Sequence, residues 1–241
     1  MDRSFEARDL IGVMDEAKRY TAFLISLVTD ELAGCTRVLD FGAGDGRLAA
    51  AMHRNGFDVV AMEPDPELRA AISARGISSV AELPTGRAGG FDGIYSLNVL
   101  EHIEDDIGAL RSLRESLRPG GRLVLYVPAF QVLFSSNDTR VGHFRRYRMK
   151  NLSDLVQQAG MTVTRAEYVD SLGFLAALVY RFFGNRDGDL SIKSVRLYDR
   201  MVFPISRVLD RGLSAVLGKN LLITAIRPVG DAPRMASPDQ S

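Results

Sequence analysis

The chain has 241 residues, of which 46% are hydrophobic, so it can bury one good core with an appended piece more readily than two equal domains. Its 30 lysines and arginines balance its 30 acids, which leaves no overall electric field to attract nucleic acid. The single cysteine excludes an intrachain disulfide and favours a reducing compartment.

The first predicted element is an amphipathic helix over residues 15–32. Its apolar residues recur at helical spacing with charges between them, namely Tyr20, Phe23, Leu24, Leu27, Val28 and Leu32. The charged stretch before it lacks the apolar core of a signal peptide, and no apolar run reaches the roughly 18 residues that a membrane-spanning helix needs. We therefore expect a soluble, cytoplasmic protein.

A glycine-rich turn follows in residues 37–48, which read RVLDFGAGDGRL. The apolar residues before the turn predict a buried strand and those after it a helix, with Gly42, Gly44 and Gly46 between them. Glycines at such a turn permit positive φ and let a ligand approach the backbone, while the helix N-terminus offers free N–H donors. The sequence thus predicts a ligand site on the turn itself.

The spacing of these glycines discriminates between ligands. A dinucleotide fingerprint reads G-x-G-x-x-G, whereas here the third glycine comes one residue early and Arg47 takes the expected place. Asp40, two residues before the first glycine, would repel a pyrophosphate but could bind an ammonium directly or through water. This pattern favours a zwitterionic, cationic nucleoside, and an ordinary glycine-rich turn is the alternative.

The pattern D-x-G-x-G-x-G at residues 40–46 resembles the first motif of the class I S-adenosylmethionine-dependent methyltransferases. The resemblance implies that Asp40, Ala43 and the three glycines bind S-adenosylmethionine, with S-adenosylhomocysteine as the product. It also implies an N-terminal helix over the cofactor, in which Tyr20 meets the methionine end. Packing of Tyr20 on the sheet is the alternative.

An acid, Glu63, ends the second predicted strand at residues 57–62 and is followed by Pro64. It lies about 20 residues beyond the glycine turn, where an acid can accept both ribose hydroxyls in either nucleotide-binding family. In the third predicted strand, members of the methyltransferase family often carry an acid four residues before a Leu-Pro pair, where this chain has Ser79. We therefore expect Ser79, the backbone or Glu82 to meet the adenine.

Residues 91–106, FDGIYSLNVLEHIEDD, resemble the fourth-strand segment of small-molecule methyltransferases, including those of the quinone-biosynthesis type. The resemblance implies that Leu97 and Asn98 line the methionine part of the cofactor, with Glu101 and His102 nearby. His102 could be a general base, since imidazole titrates near neutrality. It could equally be a hydrogen-bonded histidine at a helix start.

Strands and helices continue to alternate as far as a last strand at residues 220–227. This rhythm predicts an α/β fold with a doubly wound, mainly parallel, seven-stranded sheet of the Rossmann-like methyltransferase type. The family fold implies that the last two strands pair antiparallel. A helix is predicted over residues 154–159, with Asn151 or Ser153 as its cap.

Residues 128–150 carry a cluster of cations at the carboxyl edge of the sheet, where ligands of open α/β sheets bind. No acid stands between Asp138 and Asp154, and guanidinium groups suit bidentate contacts with carboxylate or phosphate. We hypothesise that residues 142–147 contact an anionic acceptor; arginines paired with acids elsewhere are the alternative. The residues concerned are Arg145 and Arg146 as anion ligands, and His143 and Tyr147 for proton transfer or stacking.

Residues 171–219 predict a helical insertion between the last two strands. Its apolar run is too short to span a bilayer, and Arg196, Arg200, Arg207 and Arg211 recur downstream at helical intervals. Peripheral contact with a membrane surface is one interpretation. A lid over the acceptor or a dimer contact is favoured, because the apolar side chains need burial and because Asp199 and Asp210 dilute the basic stripe.

The sequence therefore predicts five regions. They are an N-terminal helical cap (1–32), a cofactor-binding α/β core (33–170), the helical insertion (171–219), a last core strand (220–228) and a polar, disordered tail (229–241). No metal-ligand cluster is visible in the sequence. We expect a small-molecule partner rather than nucleic acid, and a monomer or homodimer.

Three functions fit these patterns. The first is methyl transfer to a small molecule in biosynthetic or secondary metabolism, with oxygen, nitrogen, carbon or sulfur as the acceptor atom. The second is binding of S-adenosylmethionine without methyl transfer, as in a cyclase or a regulatory subunit. The third is a nicotinamide-dependent oxidoreductase, which Asp40 and the glycine spacing disfavour.

Overall fold

The computed structural model describes residues 16–84, 90–183 and 192–230, without the side chains of residues 180–183. The beginning of the predicted N-terminal cap, residues 184–191 of the insertion and most of the predicted disordered tail lie outside the described residues. Among the helices described, none is both long enough and apolar enough to cross a membrane.

Within the described residues, seven strands form one sheet in the order β3-β2-β1-β4-β5-β7-β6. Neighbouring strands run parallel except β7, which is antiparallel to both β5 and β6. This arrangement confirms the predicted mainly parallel sheet and its antiparallel last strand. The strands are β1 (Arg37–Phe41), β2 (Asp58–Met62), β3 (Ser78–Val80), β4 (Phe91–Leu97), β5 (Leu117–Pro128), β6 (Thr162–Val169) and β7 (Asn220–Ile226).

Helices cover both faces of this sheet, and the described parts of the predicted insertion between the last two strands are mostly helical. The helices are α1 (Lys18–Glu31), α2 (Arg47–Arg54), α3 (Pro66–Ala74), α4 (Asp106–Ser116), α5 (Ser136–Val141), α6 (Met149–Gln158), α7 (Ser171–Phe183), α8 (Ile192–Leu197) and α9 (Phe203–Leu213). Single turns of 3-10 helix lie at Leu100–His102 and Gln131–Leu133, and a π-helical turn at Tyr198–Val202 joins α8 to α9.

Two apolar layers hold the sheet between the helices. On one face α1, α2 and α3 contribute Val28, Met52 and Ile72, and on the other α4 and α6 contribute Leu113 and Val156. All five side chains are fully buried. Because both faces are covered, the central strands are apolar on both sides, which explains the uninterrupted apolar run in β5.

Helix α6 begins earlier than the sequence predicts. It starts at Met149, after Arg148 in an extended conformation as the N-cap residue, and no side chain caps it. The prediction that Asn151 or Ser153 caps this helix is therefore wrong, since both lie inside it. The buried Leu152 and Val156 explain the difference, because burying this pair draws the first turn into the helix.

Buried acids attach the insertion to the core. Asp210 of α9 accepts hydrogen bonds from the backbone N–H groups of Asp170 and Ser171 at 3.0 and 2.9 Å. Asp199 accepts hydrogen bonds from those of Arg19 and Tyr20, at 2.9 and 2.8 Å. The two acids that should dilute the basic stripe thus point inward, contrary to the sequence-based expectation.

At Gly218, the backbone that leads from the insertion into β7 packs closely against Val169, and a substitution there tests this packing. We expect Gly218→Ala to lower the free energy of unfolding by about 2–4 kcal/mol. A Cβ at this position would lie 2.5 Å from both the backbone nitrogen and the backbone oxygen of Val169. Urea denaturation measures the change.

Gly212→Ala is the matched control for this prediction. Gly212 lies in α9, and nothing stands within 4 Å of an added Cβ. That variant should be as stable as the intact chain or gain up to about 1 kcal/mol, because alanine favours helix over glycine. Equal stabilities of the two variants would contradict the close approach at residue 218.

Candidate active site

The glycine turn lies at the carboxyl end of β1, and its three glycines have positive φ. The φ angles are 80° at Gly42, 55° at Gly44 and 78° at Gly46. A Cβ at Gly42 would come within 2.4 Å of Val99 Cγ2, and one at Gly46 within 2.7 Å of Ile72 Cγ1. The turn therefore needs glycine for both its conformation and its close packing.

Glu63 holds the turn from the end of β2. One carboxylate oxygen accepts the N–H of Gly44 at 2.9 Å, and the other accepts the N–H of Asp65 at 3.0 Å. The Pro64 carbonyl between them accepts a hydrogen bond from Arg69 at 2.6 Å. The acid expected at the ribose thus lies directly against the glycine turn.

Asp40 is a buried carboxyl group with an unused acceptor. The residue is 3% exposed, and its Oδ2 has no hydrogen-bond partner among the described residues. Burial raises the pKa of Asp40 to about 7; the Tyr95 hydroxyl opposes part of this shift and the charge of Glu63 adds to it. A cationic ligand group beside Asp40 would supply the partner and favour the ionised form.

The other residues expected at the cofactor follow the same edge of the sheet. Asn98 comes directly after β4 and is exposed, with φ of 55°, a conformation that asparagine tolerates better than most residues. Leu97 and Ser79 are half-buried, and Ser79 pairs with Ala61 of β2 in the sheet register. These positions are compatible with the expected contacts, which stay predictions.

Tyr20 packs at the junction of α1, β5 and the insertion. Its ring meets those of Tyr126 and Phe203 edge to face, with centroids 6.4 and 5.3 Å apart. Its hydroxyl lies 3.1 Å from that of Tyr126 and accepts a longer hydrogen bond from Asn220 at 3.4 Å. These contacts favour the packing alternative for Tyr20.

Two histidines meet beyond the end of β4. The ring centroids of His102 and His143 are 4.6 Å apart and nearly perpendicular. His143 Nδ1 lies 2.7 Å from Asp138 Oδ1, and its Nε2 lies 3.8 Å from Glu101 Oε1. Asp138 thereby orients the His143 ring. No sequence motif marks this acid as a partner of His143.

The pKa values of the ionisable groups around the two histidines are shifted in different directions. Glu101 is fully buried and neither carboxylate oxygen has a hydrogen-bond partner among the described residues. Burial raises the pKa of Glu101 to about 8, while burial and the neighbouring His143 lower the pKa of His102 to about 4. Burial alone would raise the pKa of Asp138, but hydrogen bonds from His143 and Arg146 hold it well below its usual range.

Glu101, His102 and His143 also form a set that could hold a metal ion. Each offers one ligand atom, and these atoms lie within 4.8 Å of one another. Carboxylate and imidazole suit several divalent metals. The expectation of no metal cluster missed this set, because His143 is distant in sequence from the other two residues.

The predicted cationic patch is largely neutralised. Arg146 binds both oxygens of Asp138, at 2.8 and 3.0 Å, and its side chain is 12% exposed. Arg145 pairs with Asp106 at 2.6 Å, and the buried Tyr147 donates a hydrogen bond to the same acid at 3.1 Å. The alternative of arginines paired with acids elsewhere therefore describes these two arginines.

Arg145, Arg146 and Tyr147 line a surface cavity. It has a volume of about 480 Å³ and also includes Arg148 and Gln131, but none of the glycine-turn residues and neither histidine of the pair. An anion bound there would be separate from the histidine pair.

Lys219 is a cation at the ligand-binding edge of the sheet that the sequence did not single out. It directly precedes β7, and its backbone N–H donates to the Asp170 carbonyl while its carbonyl accepts from Ala129. The residue as a whole is exposed, and its ammonium has no ion pair among the described residues. Surrounding protein lowers the pKa of Lys219 through desolvation; Asp170 and Asp138 oppose this shift and Arg146 adds to it.

The antiparallel direction of β7 could have revealed Lys219. A last strand that runs against its neighbours begins at the edge where the parallel strands end. The residue before β7 therefore lies at the ligand-binding edge of the sheet.

Comparisons with known proteins agree with this architecture. Residues 14–166, more than half of the chain, match the family described as methyltransferase domain. A ubiquinone biosynthesis O-methyltransferase of Xanthomonas oryzae pv. oryzae is 35% identical over 105 residues, which are 39% of this chain and 44% of that protein. The chain thus matches less than half the length of this curated relative.

Solved structures share the fold at low sequence identity. An S-adenosylmethionine-dependent methyltransferase of Thermotoga maritima has a TM-score of 0.63 at 15% identity, covering 93% of this chain and 97% of that one. The 4+2 cyclase SpnF has a TM-score of 0.57 at 19% identity, covering 86% and 80% of the two chains. The match across the α/β core, together with the observed strand order, places the chain in the family of class I S-adenosylmethionine-dependent methyltransferases.

Proposed function

We propose that the chain binds S-adenosylmethionine on the glycine turn and transfers its methyl group to a small-molecule acceptor. The observation that carries the proposal is the unpartnered Oδ2 of buried Asp40, beside a turn with three positive-φ glycines. An ammonium group would supply the missing partner, and the absent Cβ atoms leave backbone open to a ligand. Membership of the methyltransferase family supports the same ligand.

Asp40, Glu63 and the glycines would hold the cofactor. Glu63 already lies against the turn and could exchange its backbone hydrogen bonds for ribose hydroxyls. When bound, S-adenosylmethionine supplies a methyl group on a positively charged sulfur, which leaves as a neutral thioether. The chain then has to align the acceptor and remove its proton.

His143 is our candidate for the proton acceptor. With Nδ1–H donating to Asp138, its Nε2 keeps the free lone pair. As the acceptor oxygen forms its bond to the methyl carbon, its O–H bond breaks and the proton passes to Nε2. The Glu101 carboxyl group, 3.8 Å from Nε2, faces the charge that develops on the imidazole.

Lys219 is our candidate ligand for an anionic part of the acceptor, in place of Arg145 and Arg146. Both arginines are paired with carboxylates, whereas the Lys219 ammonium has no such partner among the described residues. An acidic aromatic alcohol would suit the combination of His143 and Lys219. The O-methylation named for the Xanthomonas relative supports an oxygen nucleophile in biosynthetic metabolism.

Calorimetric titration tests the cofactor. The intact chain should bind S-adenosylmethionine and S-adenosylhomocysteine but not NAD, because Asp40 would repel a pyrophosphate. Asp40→Ala and Glu63→Ala should each weaken binding at least about tenfold, through loss of a charge-assisted contact.

Asp58→Ala is the matched control for these acids, since Asp58 is exposed and begins β2, at the opposite end of that strand from Glu63. NAD binding, or no binding by a folded chain, would contradict the proposal. Cofactor binding without turnover on any acceptor would instead favour a role without methyl transfer.

The affinity for S-adenosylmethionine should rise with pH. With a pKa of about 7, Asp40 is mostly protonated at pH 6 and mostly ionised at pH 8, and only the carboxylate attracts an ammonium group. Binding should therefore be about tenfold tighter at pH 8 than at pH 6. Titration at both pH values measures this change.

Asp40→Asn provides the control, because an amide cannot ionise. That variant should bind weakly at both pH values, without the tenfold difference. The same slope in Asp40→Asn and in the intact chain would assign the pH dependence to another group.

His143 and Lys219, the two residues proposed to contact the methyl acceptor, should affect different kinetic constants. His143→Asn should lower kcat at least about a hundredfold with little change in KM, because proton removal belongs to the chemical step. Lys219→Met should raise the KM of carboxylate-bearing phenols about tenfold and leave neutral phenols unaffected. Release of S-adenosylhomocysteine measures both effects.

Lys150→Met is the matched control, because Lys150 lies in the segment where the sequence predicted a cationic patch but pairs with Asp154 on the surface. Its KM should not change. Full turnover by His143→Asn would remove the proposed base. Loss of turnover on adding a chelator, restored by a divalent metal, would assign Glu101, His102 and His143 to an ion instead.

A further inference from the structure

The outer face of the insertion is unusually apolar. Thirteen large hydrophobic side chains are exposed among the described residues, and ten of them lie in residues 171–217. Their exposed fractions run from 39% to 70%. We call this set the insertion face: Leu175, Val179, Ile192, Leu197, Met201, Ile205, Val208, Leu209, Leu213 and Val216.

Most of this face follows one continuous helical path. Helix α8, the π-helical turn and α9 run without interruption from Ile192 to Leu213, which is about 33 Å at 1.5 Å per residue. Leu197, Met201 and Ile205 recur at intervals of four, so they form one stripe along the path. Scattered surface hydrophobics would not repeat in this way.

The exposed charges beside the stripe are positive. Lys193, Arg196, Arg200 and Arg211 are all exposed. The acids in residues 192–217 are Asp199 and Asp210, which are 6% and 5% exposed and accept backbone hydrogen bonds. An apolar stripe flanked by cations, with its acids turned inward, is typical of a helix that lies in a membrane interface.

A cavity lined by four cations lies where α1 meets the helical path of the insertion face. It has a volume of about 490 Å³ and brings Lys18 and Arg19 of α1 together with Arg196 and Arg200, and the acids Glu16 and Asp199 also line it. Arg196 pairs with Glu16, but the Arg19 and Arg200 side chains form no ion pair among the described residues. Two such guanidinium groups beside an apolar surface suit a lipid phosphate.

We propose that the insertion face docks on the surface of an anionic membrane, with the cavity at Arg19 and Arg200 taking a lipid phosphate. A second copy of the chain fits less well. A twofold interface would bring the cationic edges of both copies together, and residues 192–217 expose no acid to pair with them.

Vesicle co-sedimentation of the full chain tests this proposal. The chain should bind vesicles of phosphatidylcholine and phosphatidylglycerol at least about tenfold more tightly than pure phosphatidylcholine, and salt should weaken the binding. The triple variant Met201→Ser, Ile205→Ser, Val208→Ser and the double variant Arg19→Gln, Arg200→Gln should each lose at least about tenfold in affinity.

Matched controls alter similar residues elsewhere. Val132→Ser with Val229→Ser removes two exposed hydrophobic side chains, and Arg54→Gln removes an exposed cation, so neither should change binding. Thermal unfolding checks that the variants fold. If the triple variant does not fold, the double variant and the salt dependence of the intact chain still decide the outcome.

Equal binding to both kinds of vesicle, no binding, or full binding by the double variant would each overturn the proposal. Sedimentation velocity adds another outcome: a dimer that the triple variant dissociates, without vesicle binding, would assign the face to a second copy. The assay uses neither cofactor nor acceptor, so its result is independent of the proposed methyl transfer.

Discussion

The glycine turn depends on backbone passing closer to its neighbours than a side chain would permit. Val99 fills the space that a Cβ at Gly42 would need, and Ile72 does the same at Gly46. These two contacts bring the segment after β4 and helix α3 against the turn, while Glu63 holds it from β2. The missing side chains thus fix the relative positions of three elements at the edge where a ligand would bind.

Buried carboxylates likewise hold the segment around His143 and the insertion in place. Asp138 orients His143 and Arg146, and Asp199 and Asp210 attach the insertion to α1 and to the end of β6. Each of these acids receives several donors, which compensates for its desolvation. A chain with a formal charge of zero can therefore present a positive surface, because some of its acids are turned inward.

Local sequence patterns predicted the sheet, the glycine turn and the adjoining acids, because strand, turn and helix there follow one another directly. They failed where partners are distant in sequence. Asp106 neutralises Arg145 from 39 positions away, so counting charges within residues 138–154 predicted a patch that the fold cancels. Sequence patterns did not predict Lys219, because Lys219 lies at the ligand-binding edge only when β7 runs antiparallel to its neighbours. The inward orientation of Asp199 and Asp210 depends on backbone groups of other elements, which no helical periodicity encodes.

The position of β7 also bears on how the chain is made. This strand follows the whole insertion, yet it lies between β5 and β6 in the sheet. Strands β1 to β5 can pair in a parallel sheet as they leave the ribosome, but β6 has no neighbour until β7 arrives. Until then β5 and β6 both present unpaired backbone edges, which are templates for aggregation. The nascent chain is therefore most vulnerable while the ribosome translates the apolar helices of the insertion.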